Sequence, residues 1–167
     1  MINIDAMDDL QEFIGSGNAA RGFHDEGDRL RGEALDGIKH ADSNLRNYQI
    51  SKIALIGTED TEAIEELRNG RGGSERYYSG GSFVIANDGT PTFDEHEGMD
   101  HAGTPRKPEG VPSELADVVI RAFDFADEEG FSLGTAIEEK LAYNATRGRM
   151  HGRKKINWAA RVGRSRY

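Results

Sequence analysis

One stretch, residues 112–129, limits the fold of this chain more than any other. Its apolar residues recur every three or four positions, the spacing that lines one face of an α-helix; they are Leu115, Val118, Val119, Ala122, Phe125 and Ala126. Pro112 suits the first turn of a helix, and the positive end of the helix dipole favours Glu114 and Asp117 there. Gly130 favours an end at that point. The pattern predicts an amphipathic helix that packs one side against other elements.

The neighbouring segments have similar patterns. Ser132 is a candidate N-cap for a helix that runs to Arg147 or Met150. A further helix is expected over either 43–69 or 51–69, and the sequence leaves both starts open. A glycine follows its last residue and suits a C-cap.

Nearer the N-terminus, residues 33–48 predict a helix with an interruption near Gly37. Residues 7–14 predict a short amphipathic stretch, followed by a glycine-rich linker at 15–22. Several amphipathic helices in a chain of 167 residues indicate an all-α fold. We expect an antiparallel four-helix-type bundle, with residues 1–20 as an N-terminal extension.

A glycine-rich segment, residues 70–111, interrupts the helical pattern. Two short β-prone pieces around Asp88 predict a hairpin, and the remainder predicts a loop. A loop of this length in a small domain is usually functional or disordered. Tyr77, Tyr78 and Phe83 make this insertion either a lid over a ligand or an interface between subunits, and both interpretations stay open.

Composition limits the size of the core. Only 36% of the residues are apolar and 31% are charged, so many charges must lie on exposed helix faces. Association between subunits would supply burial that one chain lacks. The absence of cysteine excludes disulfides, thiolate nucleophiles and cysteine metal sites, and it fits a reducing cytoplasm. No apolar run approaches the length of a membrane span, so no membrane partner is expected.

The net charge of −9 is unevenly distributed along the chain. All 30 acidic residues precede residue 146, whereas residues 146–167 contain eight Lys or Arg and no acid. The basic end of the chain, which includes a tail at 156–167, is therefore either a contact for nucleic acid or another polyanion, or a solvated segment that offsets the acidic body.

Four carboxylates have a spacing suited to metal binding. Glu59 and Glu62 are three residues apart on one predicted helix, so they share a face. Glu114 and Asp117 have the same spacing on the next. Because two unit charges 4 Å apart repel by about 4 kcal/mol at an effective dielectric constant of 20, such a cluster requires protonation or a cation. All-oxygen ligands select Mg²⁺ or Mn²⁺. The alternative is a set of solvated surface carboxylates.

Four blocks of sequence occur in an order that resembles a known family. They are GFHD at 22–25, KIALIGTEDTEAIEELRNG at 52–70, KPEGVPSELADVVIRAFDFADEEG at 107–130 and IEEKLAYNATRGRMHGRK at 137–154. Together they are similar to the MazG-like all-α nucleoside triphosphate pyrophosphohydrolases, whose motif is Glu-x-x-Glu on one helix and Glu-x-x-Asp on the next. We therefore expect residues 21–155 to form a catalytic helical domain, with the insertion inside it.

The resemblance implies an activity, a metal and an assembly. It implies Mg²⁺-dependent or Mn²⁺-dependent hydrolysis of (deoxy)nucleoside triphosphates between the α- and β-phosphates, which yields a monophosphate and pyrophosphate. The expected metal ligands are Glu59, Glu62, Glu114 and Asp117. In the alternative, one of them, with Glu59 as the candidate, instead orients or deprotonates the attacking water. The relatives assemble as dimers or tetramers, so a homo-oligomer is expected.

Candidate substrate residues lie on the last predicted helix. Lys140, Asn144 and Arg147 are spaced four and three apart, so they share one helix face. The resemblance implies that Lys140 and Arg147 contact phosphate, and that Asn144 contacts sugar or base.

Other candidates are spread along the chain. Lys52 is either a phosphate contact or a surface lysine that lies along apolar surface. His24 stands where relatives often carry Trp, and it is expected to border the base. Arg121 and Asp124 either support the ligands from behind or form a surface pair.

A second function, from a different class, also fits the sequence. The chain would then be a non-enzymatic nucleic-acid-binding or interaction protein that uses its basic tail and keeps the helices as a scaffold. Salt-sensitive binding that disappears with the tail would favour this alternative. The acidic body opposes a broad nucleic-acid surface.

Overall fold

The chain is mostly helical, as its sequence predicts. The structure is a computed structural model that describes residues 3–79, 83–85, 91–93, 98–100 and 102–147. Its helices are α1 (Ile4–Ala19), α2 (Asp25–Leu35), α3 (Ala41–Arg68), α4 (Val111–Glu128) and α5 (Leu133–Thr146). Within these residues, no helix combines the length and the apolar character needed to cross a bilayer. The basic tail at 156–167 and the turn around Asp88 lie outside the described residues.

In the described part of the chain, four short strands form two antiparallel pairs. β1 (Tyr77–Tyr78) pairs with β4 (Pro108–Glu109), and β2 (Phe83–Ile85) pairs with β3 (Pro91–Phe93). The second pair corresponds to the two β-prone pieces of the insertion. The first pair joins the chain that leaves α3 to the chain that enters α4.

The described residues divide into two compact units. The terminal unit contains the residues up to 26 and those from 123 onward, and the central unit is Gly27–Ala122. The four predicted metal ligands all belong to the central unit.

In the terminal unit, α1 is longer than predicted. It runs through the first part of the segment 15–22, which its glycines mark as a linker in the sequence, and it ends at Ala19. Gly15 is buried, and a Cβ atom at this position would lie 1.8 Å from a carboxylate oxygen of Asp127. The prediction of a linker is wrong because this glycine allows close packing instead of a break in the helix.

Polar contacts hold α1 against α5. The side chain of Gln11 is buried; its amide nitrogen donates to the carbonyl of Phe131 at 2.9 Å, and its oxygen accepts from the N–H of Leu133 at 3.0 Å. Ser132 is the N-cap of α5, as predicted. Its hydroxyl also donates to the carboxylate of Asp8 at 2.7 Å.

In the central unit, the interruption predicted near Gly37 is confirmed, and it separates two helices. α2 ends at Leu35, and α3 begins at Ala41, earlier than either predicted start. Gly37 and His40, which lie between them, have φ angles of 69° and 71°. Left-handed backbone at two positions ends one helix and prevents its direct continuation into the next.

The apolar stripe of α4 is only partly buried. Phe123 and Ala126 are 4% and 0% exposed, whereas Leu115 and Val119 stay 48% and 49% exposed. α3 exposes a comparable set, which consists of Ile50, Ile53, Leu55, Ile64 and Leu67. The chain alone therefore leaves apolar helix surface uncovered.

Candidate metal centre

Three of the four predicted metal ligands converge in the central unit. Glu59 and Glu62 lie three residues apart on α3, and Glu114 lies in the first turn of α4. One carboxylate oxygen from each of the three lies within 4.8 Å of the other two. The two acidic motifs of the sequence therefore meet at one place.

Glu114 is the most deeply buried carboxylate of this cluster. It is 4% exposed, and it receives no hydrogen bond from any other described residue. Burial raises the pKa of the Glu114 carboxyl, and the negative charge of Glu62 raises it further, while Lys107 lowers it. A carboxylate that is largely buried beside other carboxylates is unfavourable unless it is protonated or bound to a cation.

The negative charge of Glu59 is balanced by an arginine. Glu59 is 5% exposed; its Oε1 atom accepts a hydrogen bond from Nε of Arg121 at 2.6 Å and lies 2.6 Å from Nη2 in an ion pair. Because both contacts use Oε1, neither one occupies Oε2. Arg121 lies seven residues after Glu114 on α4, which places both side chains on one face of the helix. The sequence offers that spacing as a signal, but it does not identify Glu59 as the partner.

Two further charges act on the cluster. Asp117 is half-buried and lies outside the group of three, but its charge raises the pKa of Glu114. Lys107 donates a hydrogen bond to Glu109 at 3.0 Å. That bond raises the pKa of Lys107, and the charges of Glu109, Glu114 and Glu62 raise it further.

The donor set fits a hard divalent cation. The three ligand carboxylates carry three negative charges when ionised, and Arg121 offsets one of them. The remainder is opposite and equal to the charge of a divalent ion. All of the donors are oxygen atoms, which Mg²⁺ and Mn²⁺ prefer.

The predicted substrate residues are divided between the two units. Lys52 is half-buried on α3 in the central unit, and its ammonium lies 5.9 Å from the centre of the Tyr48 ring. Lys140, Asn144 and Arg147 are exposed in the terminal unit, where Arg147 is the C-cap of α5. Their contacts with a substrate stay predictions.

The terminal unit contains a second group of metal-ligand residues, which the sequence does not indicate. Nε2 of His24 lies 2.8 Å from Oδ1 of Asp124, and both residues are 7% exposed. A ligand atom of Glu128 lies within 4.8 Å of ligand atoms of both. Asp124 and Glu128 share a face of α4, but His24 is 100 residues away in sequence, so no local pattern connects them. The imidazole predicted to border a base is thus buried beside a carboxylate.

Comparisons with family models, with curated proteins and with solved structures find no match for this chain. Its function is therefore inferred from its own residues.

Proposed function

We propose that this chain is a Mg²⁺-dependent nucleotide pyrophosphohydrolase, with Mn²⁺ as an alternative ion. One water molecule is consumed, the linkage between the α- and β-phosphates of a (deoxy)nucleoside triphosphate breaks, and the products are a nucleoside monophosphate and pyrophosphate. The proposal combines the resemblance to the MazG-like family with the carboxylate cluster. Such an activity would control the nucleotide pool.

The observation that carries the proposal is the environment of Glu114. Solvated surface carboxylates, the alternative reading of the spacing, would be exposed and separate from one another. Glu114 is instead buried, lacks a hydrogen-bond donor among the described residues, and faces Glu59 and Glu62. Glu62 is exposed, so solvent reaches one side of the cluster.

Each residue of the cluster has a distinct task in this proposal. Glu59, Glu62 and Glu114 would hold the ion, with Asp117 beside them. When it is bound, the ion polarises phosphoryl oxygens, neutralises the leaving group and lowers the pKa of water. One of these carboxylates, with Glu59 as the candidate, would orient or deprotonate the attacking water instead of holding the ion.

The residues that the family resemblance assigns to the substrate keep those roles in this proposal. Lys52, Lys140 and Arg147 contact phosphate, and Asn144 contacts sugar or base. His24 borders the base, as the family resemblance implies.

We further propose that the helices complete a four-helix-type bundle with a glycine-rich insertion, and that it assembles as a homodimer or homotetramer in the cytoplasm. The exposed apolar residues of α3 and α4 support association, because apolar side chains such as Ile53 and Leu115 gain free energy when a second subunit covers them.

A pyrophosphate-release assay tests the proposal. Purified protein with Mg²⁺ should release pyrophosphate from at least one ribo- or deoxyribonucleoside triphosphate in a panel of the common bases. Glu62→Gln should abolish release and leave the helical circular dichroism unchanged, because the side chain is exposed and contributes little to packing.

Glu65→Gln is the matched control. Glu65 lies on the same helix and is exposed, but it pairs with Arg68 at 2.5 Å and is not part of the cluster. Its replacement should leave activity unchanged. Full activity of the Glu62 variant, or no release from any triphosphate, would refute the proposal.

A further inference from the structure

We propose that Arg121 is a phosphate-binding residue, which Glu59 holds in place until the metal and the nucleotide arrive. The inference rests on the proposed function and assigns the site a cationic contact that neither the sequence motif nor the helix carrying Lys140 includes. It comes from the position, exposure and bonding of one guanidinium group.

Within the part of the chain that the structure describes, the contacts of Arg121 with Glu59 use fewer than half of its N–H donors. A guanidinium group has five N–H donors in a planar fork. The contacts to Glu59 use Nε and Nη2, and both go to one oxygen. The side chain of Arg121 is 41% exposed, whereas that of Glu59 is 6% exposed. The guanidinium therefore reaches from a buried carboxylate towards solvent at the cluster.

The charge of the site requires such a group. Three ligand carboxylates and one divalent ion leave a net charge of −1, and Asp117 adds another negative charge nearby. A nucleoside triphosphate is itself a polyanion and would be repelled. Among the described residues, Arg121 is the cation that hydrogen-bonds a predicted ligand, since Lys107 is paired with Glu109.

An ion beside Glu59 would compete with Arg121 for the same carboxylate. Each positive charge weakens the attraction of Glu59 for the other, because like charges a few ångströms apart repel. Displaced from Glu59, the guanidinium keeps its planar fork, which matches two phosphate oxygens. One residue thus neutralises Glu59 before loading and contacts phosphate afterwards.

Two binding measurements on full-length protein test the inference. The first is Mn²⁺ binding without nucleotide, followed by electron paramagnetic resonance. Arg121→Met removes a competing charge, so Mn²⁺ should bind tighter, by about threefold or more. The second is pyrophosphate binding at saturating Mn²⁺, followed by calorimetry. Here the same variant should bind more weakly, by about tenfold to a hundredfold, because a charge-assisted contact is lost.

Arg121→Met is expected to tighten Mn²⁺ binding and to weaken pyrophosphate binding. These opposite effects distinguish a phosphate-binding role of Arg121 from a purely structural one. If Arg121 only supported the fold, its loss would weaken both kinds of binding together or leave pyrophosphate binding unchanged. Arg121→Lys keeps the charge and loses the fork, so it should retain normal Mn²⁺ binding and still bind pyrophosphate less tightly than the wild type. Arg68→Met, which removes an exposed arginine paired with Glu65, should change neither measurement.

Failure of this inference differs from failure of the proposed function. If the wild type binds no more Mn²⁺ than Glu62→Gln, the metal centre fails, and the inference fails with it. If the wild type binds Mn²⁺ and releases pyrophosphate from a triphosphate, but both Arg121 variants bind pyrophosphate as well as the wild type does, only the role of Arg121 is overturned.

Discussion

Replacement of Glu114 by glutamine should stabilise the metal-free protein. Its carboxylate is buried, receives no hydrogen bond from the described residues, and lies within 4.8 Å of two others. Glutamine has nearly the same shape, has no charge, and donates N–H groups that the carboxylates of Glu59 and Glu62 can accept. The substitution therefore removes repulsion without creating a cavity.

The magnitude follows from the separation of the charges. Two unit charges 4.8 Å apart repel by about 3.5 kcal/mol at an effective dielectric constant of 20. Arg121 offsets much of the charge of Glu59, and water screens Glu62. A net stabilisation of about 1–3 kcal/mol is therefore expected at neutral pH, which raises Tm by about 3–9 °C for a chain of this length.

The stability gained by Glu114→Gln should increase as the pH rises. The pKa of Glu114 is raised in the folded protein, so its bound proton stabilises the fold at low pH, and that contribution is lost as the pH rises through the folded pKa. The variant should match the wild type below about pH 4.5, the ordinary pKa of a glutamate, and exceed it increasingly towards pH 8. Scanning calorimetry in EDTA at several pH values measures this difference.

Mg²⁺ should narrow or reverse the difference in stability between Glu114→Gln and the wild type. A ligand at 100 times its Kd stabilises the folded state by about 2.7 kcal/mol, and the variant lacks one of the three carboxylates that would provide the site. Glu65→Gln, whose carboxylate is exposed and paired, should show neither the pH-dependent gain nor a changed response to Mg²⁺. The reasoning is refuted if Glu114→Gln is less stable than the wild type at pH 8 in EDTA, or if Mg²⁺ stabilises both equally.

Two other substitutions test the packing and the assembly. Gly110 has a φ of 94°, and a Cβ there would lie 2.5 Å from the carbonyl oxygen of Glu75, whereas Gly70 has a φ of 88° with no atom within 4 Å. In urea denaturation, Gly70→Ala should therefore lower the free energy of unfolding by about 1–2 kcal/mol, and Gly110→Ala should lower it clearly more. Equal denaturation midpoints for the two variants would contradict the close contact at Gly110. Ile53→Lys should lower the mass measured by light scattering, while Leu35→Lys, at an 89% exposed position of α2, should not; an unchanged mass for Ile53→Lys would exclude α3 from the interface.

The parts of the fold that the sequence predicts well are those with local causes. α4 and α5 lie close to their expected ranges, because a proline, a capping serine and a terminal glycine act within one or two turns. The extents of α1 and α2 were harder to predict from the sequence. Gly15 lies inside α1 because of a contact with Asp127, which is remote in sequence, and the break before α3 includes a left-handed His40. The contact with Asp127 and the left-handed His40 are not visible in the neighbouring residues, whereas Gly37 does indicate the interruption between α2 and α3.

The candidate site divides in the same way. The acidic pairs are visible in sequence, because residues three apart share a helix face. The residues that pair with the buried charged side chains cannot be identified from the sequence. Arg121 is 62 residues from Glu59, and His24 is 100 residues from Asp124, so the partner of each buried charge depends on how the helices meet. Residue spacing can identify a set of metal ligands, but it does not identify the cationic residue that balances their negative charge.

The three clustered carboxylates differ in how the folded chain tolerates them without a metal. Glu59 is buried and paired with Arg121, Glu62 is hydrated, and Glu114 is buried with a raised pKa that favours its protonated form. Removal of one partner from a fully buried ion pair typically costs about 3–5 kcal/mol. Arg121 is 41% exposed, so the cost here is smaller, but a chain with Glu59 unpaired would still be less stable before an ion bound. Arg121 thus allows the site to fold first and bind afterwards. The same requirement explains why a cation lies within 2.6 Å of a residue proposed to bind another cation.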